Sequence, residues 1–362
     1  MKVVHAITGL GVGGAENMLH QVVPELNDED HTHQIISLTD DDEIGKEIEA
    51  EGVDVQYLGL RRDMLNLSAV AWRFYKALRR IEPDVLYCYL IHTNIFGRIM
   101  GRLAGVETVI CSIRNKHIDR WFLNWVDRMT SGLVDMYVPN SEATVPFVRD
   151  HQGIPEEKIR VVPNGINVDE FDIDVDTEAK RDSLGVDHES FLLGCVAKLQ
   201  PQKDHKTLLR AFSDFEDGKN TDLLLLGDGP LRDDLEGLAR DLDITESVHF
   251  LGWRDDVKEL LQTIDVFILP SRHEGMSNAL LEAMASATCC IASDIPENKV
   301  VLGKTGRTFN CGSASKLNGQ IQRVYEEKSL KRRTGRKCKN RAHRFDWKTT
   351  ISKYKSLLSE VE

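Results

Sequence analysis

The sequence predicts an α/β protein of two doubly wound, Rossmann-like domains facing each other across a cleft. Three observations predict it. Short aliphatic or β-branched runs alternate with amphipathic helical stretches along most of the chain. That rhythm breaks between about residues 163 and 189, in a stretch rich in Asp, Asn and Gly, and then restarts. A chain of 362 residues also exceeds one ordinary core and suits two of roughly 180.

Taken in order, residues 2–8, 34–38, 53–58, 84–88, 108–113, 136–138 and 159–162 read as strands. Helical periodicity at 15–26, 69–81 and 94–104 lies between them. After the break, strands are expected at 192–197, 223–226, 248–251, 266–269 and 290–292. Helices are expected between these at 206–215, 231–242, 255–263 and 278–285. Such alternation gives parallel sheets covered on both faces, with right-handed crossovers. The expected boundaries are 1–168 for the first domain and 169–345 for the second. A C-terminal helix in 346–362 could pack back on the first.

A net charge of −12 argues against nucleic acid as the main partner. No apolar run approaches the ~20 residues that cross a bilayer, and the chain enters its first strand at once, so no cleavable signal peptide is expected. Seven scattered cysteines form neither a disulfide framework nor a zinc ladder, which fits a reducing cytoplasm. Cys88 and His92 are four apart, but no second ligand pair follows, so no metal is expected there.

Gly9-Leu10-Gly11-Val12-Gly13-Gly14 follows the first strand and opens a helix. Glycines at that place let backbone N–H groups at a helix start approach a phosphate. With Asp40 beyond the second strand, the loop also fits an NAD-dependent oxidoreductase or epimerase.

In the second half, special turns fall where strands end, the edge at which doubly wound folds bind ligands. Lys198 and Lys203 follow the first strand, Gly227-Asp228-Gly229-Pro230 the second, and Gly252-Trp253-Arg254 the third. Pro270 to Gly275 follows the fourth and leads into a helix near Ser277 or Asn278. Two lysines beside a helix N-terminus suit a diphosphate leaving group. Glu282, one turn into that helix, can accept hydrogen bonds from ribose hydroxyls, and Glu274, before it, faces another part of the ligand.

The segment from Ser271 to Ala285, carrying Glu274-Gly275-Met276-Ser277-Asn278 and Glu282, resembles the E-x7-E signature of family 4 retaining glycosyltransferases of the GT-B fold. Gly13-Gly14-Ala15-Glu16, His92-Thr93-Asn94-Ile95-Phe96-Gly97-Arg98, Pro163-Asn164-Gly165-Ile166, Lys198 to Asp204 and Gly227 to Pro230 resemble further elements of that family, in the same order. The resemblance implies a hexose-type transfer from a UDP- or GDP-sugar to a glycan or lipid-linked acceptor, in surface polysaccharide or glycoconjugate synthesis, without metal or cofactor. It implies that Lys203 and Lys198 neutralise the departing diphosphate. Gly14 and the backbone of Met276, Ser277 and Asn278 would lie by the phosphates, and Gly13, Gly227 and Gly275 would also bind the donor. Glu282 would hold the ribose, Glu274 and His92 would contact the donor sugar, and Trp253 and Arg254 would frame the base.

Three positions depart from the pattern. Lys198 stands where the family most often has arginine, Met276-Ser277 replaces an aromatic–proline pair, and Ala287-Thr288-Cys289-Cys290 replaces a glycine–x–proline turn. Asp172, Asp174 and Asp176 read as linker rather than metal ligands.

Between Gly52 and Val134 twelve Lys/Arg stand against seven Asp/Glu. Arg61-Arg62, Trp72 to Lys76, Arg79-Arg80, and the segment 116–128 with Trp121, Phe122 and Trp125 interleave cations with rings. Such a surface suits the cytoplasmic face of an anionic membrane, or a lipid-diphosphate acceptor. The basic run 328–344 reads as a solvated helix.

Overall fold

Each half of the chain builds a six-stranded parallel sheet, and both sheets have the same strand order. The structure, a computed structural model, describes all residues except Val12, Glu29, Arg62, residues 116–120, Asp217, Gly218 and Glu362. The chain divides into two compact units, Met1–Gly165 with Trp347–Glu362, and Ile166–Asp346.

Unit 1 runs β1 (Lys2–Ile7), α1 (Gly14–Leu26), β2 (Thr32–Ser37), α2 (Glu43–Ala50), β3 (Asp54–Tyr57), α3 (Leu67–Ile81), β4 (Val85–Tyr89), α4 (Ile91–Ala104), β5 (Thr108–Ile113), α5 (Trp121–Thr130) and β6 (Met136–Pro139). Unit 2 follows with α6 (Thr177–Leu184), β7 (Phe191–Val196), α7 (His205–Glu216), β8 (Thr221–Leu226), α8 (Arg232–Asp241), β9 (Val248–Gly252), α9 (Val257–Thr263) and β10 (Val266–Leu269). It continues through α10 (Asn278–Ala285), β11 (Cys289–Ser293), α11 (Pro296–Leu302), β12 (Arg307–Phe309), α12 (Ala314–Glu326) and α13 (Lys328–Ala342). The last helix, α14 (Trp347–Ser359), belongs to unit 1.

The first sheet is ordered β3-β2-β1-β4-β5-β6 and the second β9-β8-β7-β10-β11-β12. Both are the 3-2-1-4-5-6 order of the dinucleotide-binding fold, whose crevice opens where the winding reverses. The reversal lies between β1 and β4 in unit 1, and between β7 and β10 in unit 2. The turns after those four strands are therefore where side chains can converge on a ligand.

Both sheets are buried on both faces. In unit 1, α1, α2 and α14 cover one face through Met18, Ile48, Tyr354 and Leu357, while α3 and α4 cover the other through Phe74, Leu78 and Ala104. In unit 2, α9, α10, α11 and α13 cover one face and α7, α8 and α12 the other. No helix among the described residues is long and apolar enough to cross a membrane.

Two expectations about local structure change. Residues 159–162, read as a strand, make an isolated bridge from Ile159 to Tyr137 and two hydrogen bonds, from Arg160 N to Tyr137 O and from Val162 N to Pro139 O, so they run beside β6 without forming a named strand. Proline at 139 and 163 limits the donors available there. The stretch around Asp172 to Asp176 carries a helix, α6. Asp176 caps it by accepting a hydrogen bond from Ala179 N, and Asp172 pairs with Lys339 at 2.9 Å.

Candidate active site

The four turns at the reversal edge of unit 2 are laced together by backbone. Ala197 N donates to Leu226 O, Leu199 N to Asp228 O at 3.0 Å, and Gly227 N to Gly252 O at 2.7 Å. These bonds require bare glycine. Gly227 has φ +126°, and a Cβ there would lie 2.3 Å from Ala197 O; a Cβ on Gly229 would lie 2.5 Å from Leu199 O. The exit of β7 is joined to that of β10 by Arg272 N donating to Gln202 O, and by Gln202 Nε2 donating to His273 O at 2.7 Å. The segments carrying Lys198, Lys203, Gly227, Trp253 and Glu274 therefore form one continuous rim.

At its centre Lys203 Nζ meets Glu274 Oε1 at 2.5 Å, with the carboxylate 7% exposed and the ammonium 16%. Ser271 Oγ donates to the same carboxylate oxygen at 2.6 Å. Behind Ser271 stands a further layer. Ser293 Oγ donates to Ser271 O, and Asn298 Nδ2 donates to Ser293 Oγ at 3.0 Å. This chain runs from α11 through the end of β11 to the loop after β10, and fixes where the Glu274 carboxylate points. Residue types alone did not single out Ser293 or Asn298. Their partners lie 22 and 5 residues away, and no local motif joins them.

The groups beneath the pair are held neutral. Burial pushes the Cys195 thiol up to about 12 and pulls the His205 imidazole down to about 4, where the Lys203 charge acts in the same direction. Glu282, half-buried on α10, has its carboxyl pushed up to about 7 by desolvation, which the more distant Lys258 only partly opposes. The helix bearing it begins at Asn278, where Ser277 Oγ accepts a hydrogen bond from Leu280 N. Gly275, Met276 and Ser277 are buried in the turn before it.

The outer rim is less tied down. Lys198 is exposed, and Trp253 is 61% exposed. Arg254 is fixed through two hydrogen bonds of 2.7 and 2.6 Å to Asp256, which also accepts from Lys180. These two cations hold the Asp256 carboxyl far below its ordinary range.

In unit 1 the glycine loop and the start of α4 meet at the corresponding edge. Thr8 and Thr93 hydroxyls pair at 2.8 Å, Leu10 is wholly buried, and Gly13 and Gly14 form the N-terminal cap and first residue of α1. Val12 lies outside the described residues. Leu90, ahead of α4, adopts φ +70° and ψ 150°, a conformation that costs a side-chain-bearing residue strain.

The segment His92 to Arg98, quoted for its resemblance, opens α4, and His92 is the one residue in it expected to face the donor. Thr93 bonds Thr8, and Asn94 donates to Ser112 O at 2.8 Å. Gly97 lies on Cys88, and Arg98 is buried against Asp127 and Tyr137. His92 is the member left exposed. Cys88, four residues before it, is wholly buried.

Asn164 of the Pro163-Asn164-Gly165-Ile166 segment accepts from Arg114, which also donates to Tyr354 of α14 at 2.8 Å. Gly165 lies flat beneath Trp347, where a Cβ would come 2.2 Å from the ring.

The basic and aromatic surface of unit 1 is only partly a surface. Phe74 is core, and Arg73 and Arg79 donate to the carbonyls of Leu58 and Ala104. Trp72, Phe122 and Trp125 are exposed, with Lys76 over the Trp72 ring and Phe122 stacked on Trp125. Arg62, residues 116–120 and the Trp121 side chain lie outside the described set. In the basic helix α13, Lys331 pairs with Asp265, and Arg341 donates to Val300 O and Val301 O.

Comparison with known proteins places this geometry. Residues 176–341 match the family described as Glycosyl transferases group 1, and residues 12–170 match Glycosyltransferase Family 4. The chain is 26% identical over 323 residues to a UDP-Gal:alpha-D-GlcNAc-diphosphoundecaprenol alpha-1,3-galactosyltransferase of Escherichia coli, covering 84% of this chain and 81% of that one. It is 24% identical over 359 residues, 94% of each chain, to a Campylobacter jejuni N-acetylgalactosamine-N,N'-diacetylbacillosaminyl-diphospho-undecaprenol 4-alpha-N-acetylgalactosaminyltransferase. In fold it resembles Anabaena Alr3699/HepE, solved with UDP-glucose, at TM-score 0.88 and 20% identity, over 99% of this chain and 100% of that one.

Proposed function

The chain belongs to the family 4 glycosyltransferases of GT-B fold, and from that premise we propose a retaining, metal-independent transfer of a hexose-type sugar. The donor is a nucleoside-diphosphate sugar, UDP before GDP. The acceptor is a sugar linked to a lipid diphosphate, and the product serves surface polysaccharide or glycoconjugate synthesis on the cytoplasmic face of a membrane. The acceptor class is suggested by the diphosphoundecaprenol-linked substrates in the names of the two relatives, and the preference for UDP by the galactosyltransferase among them.

The observation that carries the reading is the buried Lys203–Glu274 pair on the reversal edge of unit 2, in the loop that leads into the helix bearing Glu282. A closed ion pair there is a site ready for exchange. An arriving diphosphate takes the Lys203 ammonium, and Glu274, still held by Ser271, turns its freed capacity to hydroxyls of the donor sugar. Lys198, exposed, adds a second cation, and the N–H groups at the start of α10 add the positive end of a helix dipole. The glycosyl carbon–phosphate oxygen bond breaks as the acceptor hydroxyl attacks from the same face. The departing phosphate oxygen takes the hydroxyl proton, so configuration is kept and no covalent sugar–enzyme bond forms. Glu282 accepts from the ribose, and Trp253 and the Arg254 backbone frame the base.

The test is transfer from UDP- and GDP-sugars to a prenyl-diphosphate-linked sugar with a chelator present. Transfer with the donor's anomeric configuration preserved, read by NMR of the product, is expected. Inverted product would overturn the stereochemistry, and loss of transfer on chelation would overturn metal independence. Tight NADH binding without UDP or GDP binding would favour the oxidoreductase suggested by the Gly9 to Gly14 loop.

A further inference from the structure

Unit 1 contains a pocket of about 480 Å³, of whose lining the roles above use His92 alone. Its walls are Ile95 and Ile99 of α4, Leu60, Met64 and Leu67 from the loop after β3 and the start of α3, and Leu123 of α5. Its polar lining is scant. Thr8 is engaged with Thr93, and the Thr39 hydroxyl donates to Asp41 at 3.1 Å. A glycan needs hydrogen-bond partners for its hydroxyls, and these walls supply few, so the pocket suits a hydrocarbon.

Two further observations point to the occupant. The apolar lining continues outward, with Met64 50% and Leu67 37% exposed at the mouth, and with Leu65 80% and Phe122 55% exposed in the adjoining loop and helix. Apolar side chains left this open on one face mark a contact with something apolar. Arg61 also lines the pocket, and its partner Asp63, 2.9 Å away, is a solvent-exposed ion pair that an incoming diphosphate displaces at little cost. A hydrocarbon joined to a strong anion matches both features.

We propose that this pocket receives the first isoprene units of the acceptor's prenyl chain, with Arg61 at the diphosphate. The inference rests on the acceptor class proposed above and adds where unit 1 grips it. His92 lines the same pocket, so the lipid end of the acceptor and this exposed histidine share one edge of unit 1.

The test compares two acceptors with the same sugar-diphosphate head, one a geranylgeranyl and the other a methyl ester, at a fixed detergent concentration. The enzymes are wild type, Leu67→Gln/Ile99→Gln and Arg61→Gln. Wild type is expected to show a KM about tenfold lower for the prenyl acceptor. The double variant should raise that KM to the methyl-ester value, leaving methyl-ester kcat and UDP affinity unchanged. Arg61→Gln should raise KM for both acceptors alike. Should the double variant lose UDP affinity, the surface change Met64→Gln reads the same wall without touching α4. A chain-length preference that survives these changes overturns the pocket assignment and leaves the acceptor class standing. Equal use of both acceptors by wild type also overturns it. Transfer to neither overturns the acceptor class, and this inference with it.

Discussion

Lys203→Ala tests the centre of the site through stability as well as activity. The substitution leaves the Glu274 carboxylate, 7% exposed, with the Ser271 hydroxyl still donating to it. Removing one partner of a fully buried pair costs about 3–5 kcal/mol, chiefly as the penalty of a stranded charge. Here Lys203 is 16% exposed and the Ser271 hydroxyl stays in place, so the cost scales down to about 2–3 kcal/mol. For a unit of this size that is a fall in Tm of roughly 5–10 °C. Scanning calorimetry of Lys203→Ala, Glu274→Gln and the double variant measures the coupling. The double variant should recover at least half of the Lys203→Ala deficit, because a neutral amide no longer strands a charge. A Lys203→Ala cost below about 0.5 kcal/mol, or no recovery in the double variant, would refute this account. In activity, Lys203→Ala should impair nucleotide binding and transfer together, whereas Glu274→Ala should lose transfer and keep nucleotide binding.

Glu282 links the site to pH. Its native carboxyl titrates near 7 against an ordinary 4.5, so the native state holds a proton that the unfolded state has released between those values. Stability of the free protein should be full below about pH 4.5 and fall as pH rises to about 7; the total is at most of order 3 kcal/mol. Urea unfolding should show this slope in wild type and not in Glu282→Gln. Gly229→Ala should push the Lys198 turn away from the turn after β8, since its Cβ would meet Leu199 O at 2.5 Å. A donor KM raised about tenfold or more corresponds to roughly 1.4 kcal/mol of lost positioning, and an unchanged KM would count against the rim as a donor site. Gly335→Ala should destabilise unit 2 by about 1–3 kcal/mol. Its Cβ would fall 1.9 Å from the carbonyl oxygen of Ala287, in the turn after α10, and thermal unfolding reads the loss.

The doubly wound architecture was legible because its signal is local. The run at Leu223 to Leu226 is apolar on both faces, as parallel strands require, and Val3 to Ile7 is so but for the buried His5. What was missed lacked such runs. β12 is three residues at a sheet edge, Arg307-Thr308-Phe309, and is held by its neighbour β11 rather than by composition. α6 is short and charged, yet its caps, Asp176 before and Gly185 at φ +70° after, were readable as helix punctuation. At the site, the turns could be placed at strand ends. The meeting of Lys203 with Glu274 could not, because 71 residues separate them and strand order decides it. Within His92 to Arg98 the sequence did not show that Thr93, Asn94 and Arg98 are buried and hold α4, because their partners Thr8, Ser112 and Asp127 are distant in the chain. Ala287, standing where the resemblance implies a glycine, adopts φ +57°, a conformation that glycine takes without strain.

The placement of α14 bears on how the chain is made. Unit 2 is one uninterrupted segment, whereas unit 1 needs Tyr354, Leu357 and Leu358 to complete the core over Met18 and Tyr87. On the ribosome the first half emerges early, but the helix that closes its hydrophobic face is translated after the whole of unit 2. The unit begun first is therefore finished last. Until then a parallel sheet, slow to form because its contacts are distant in sequence, waits with apolar surface open to chaperones or to aggregation.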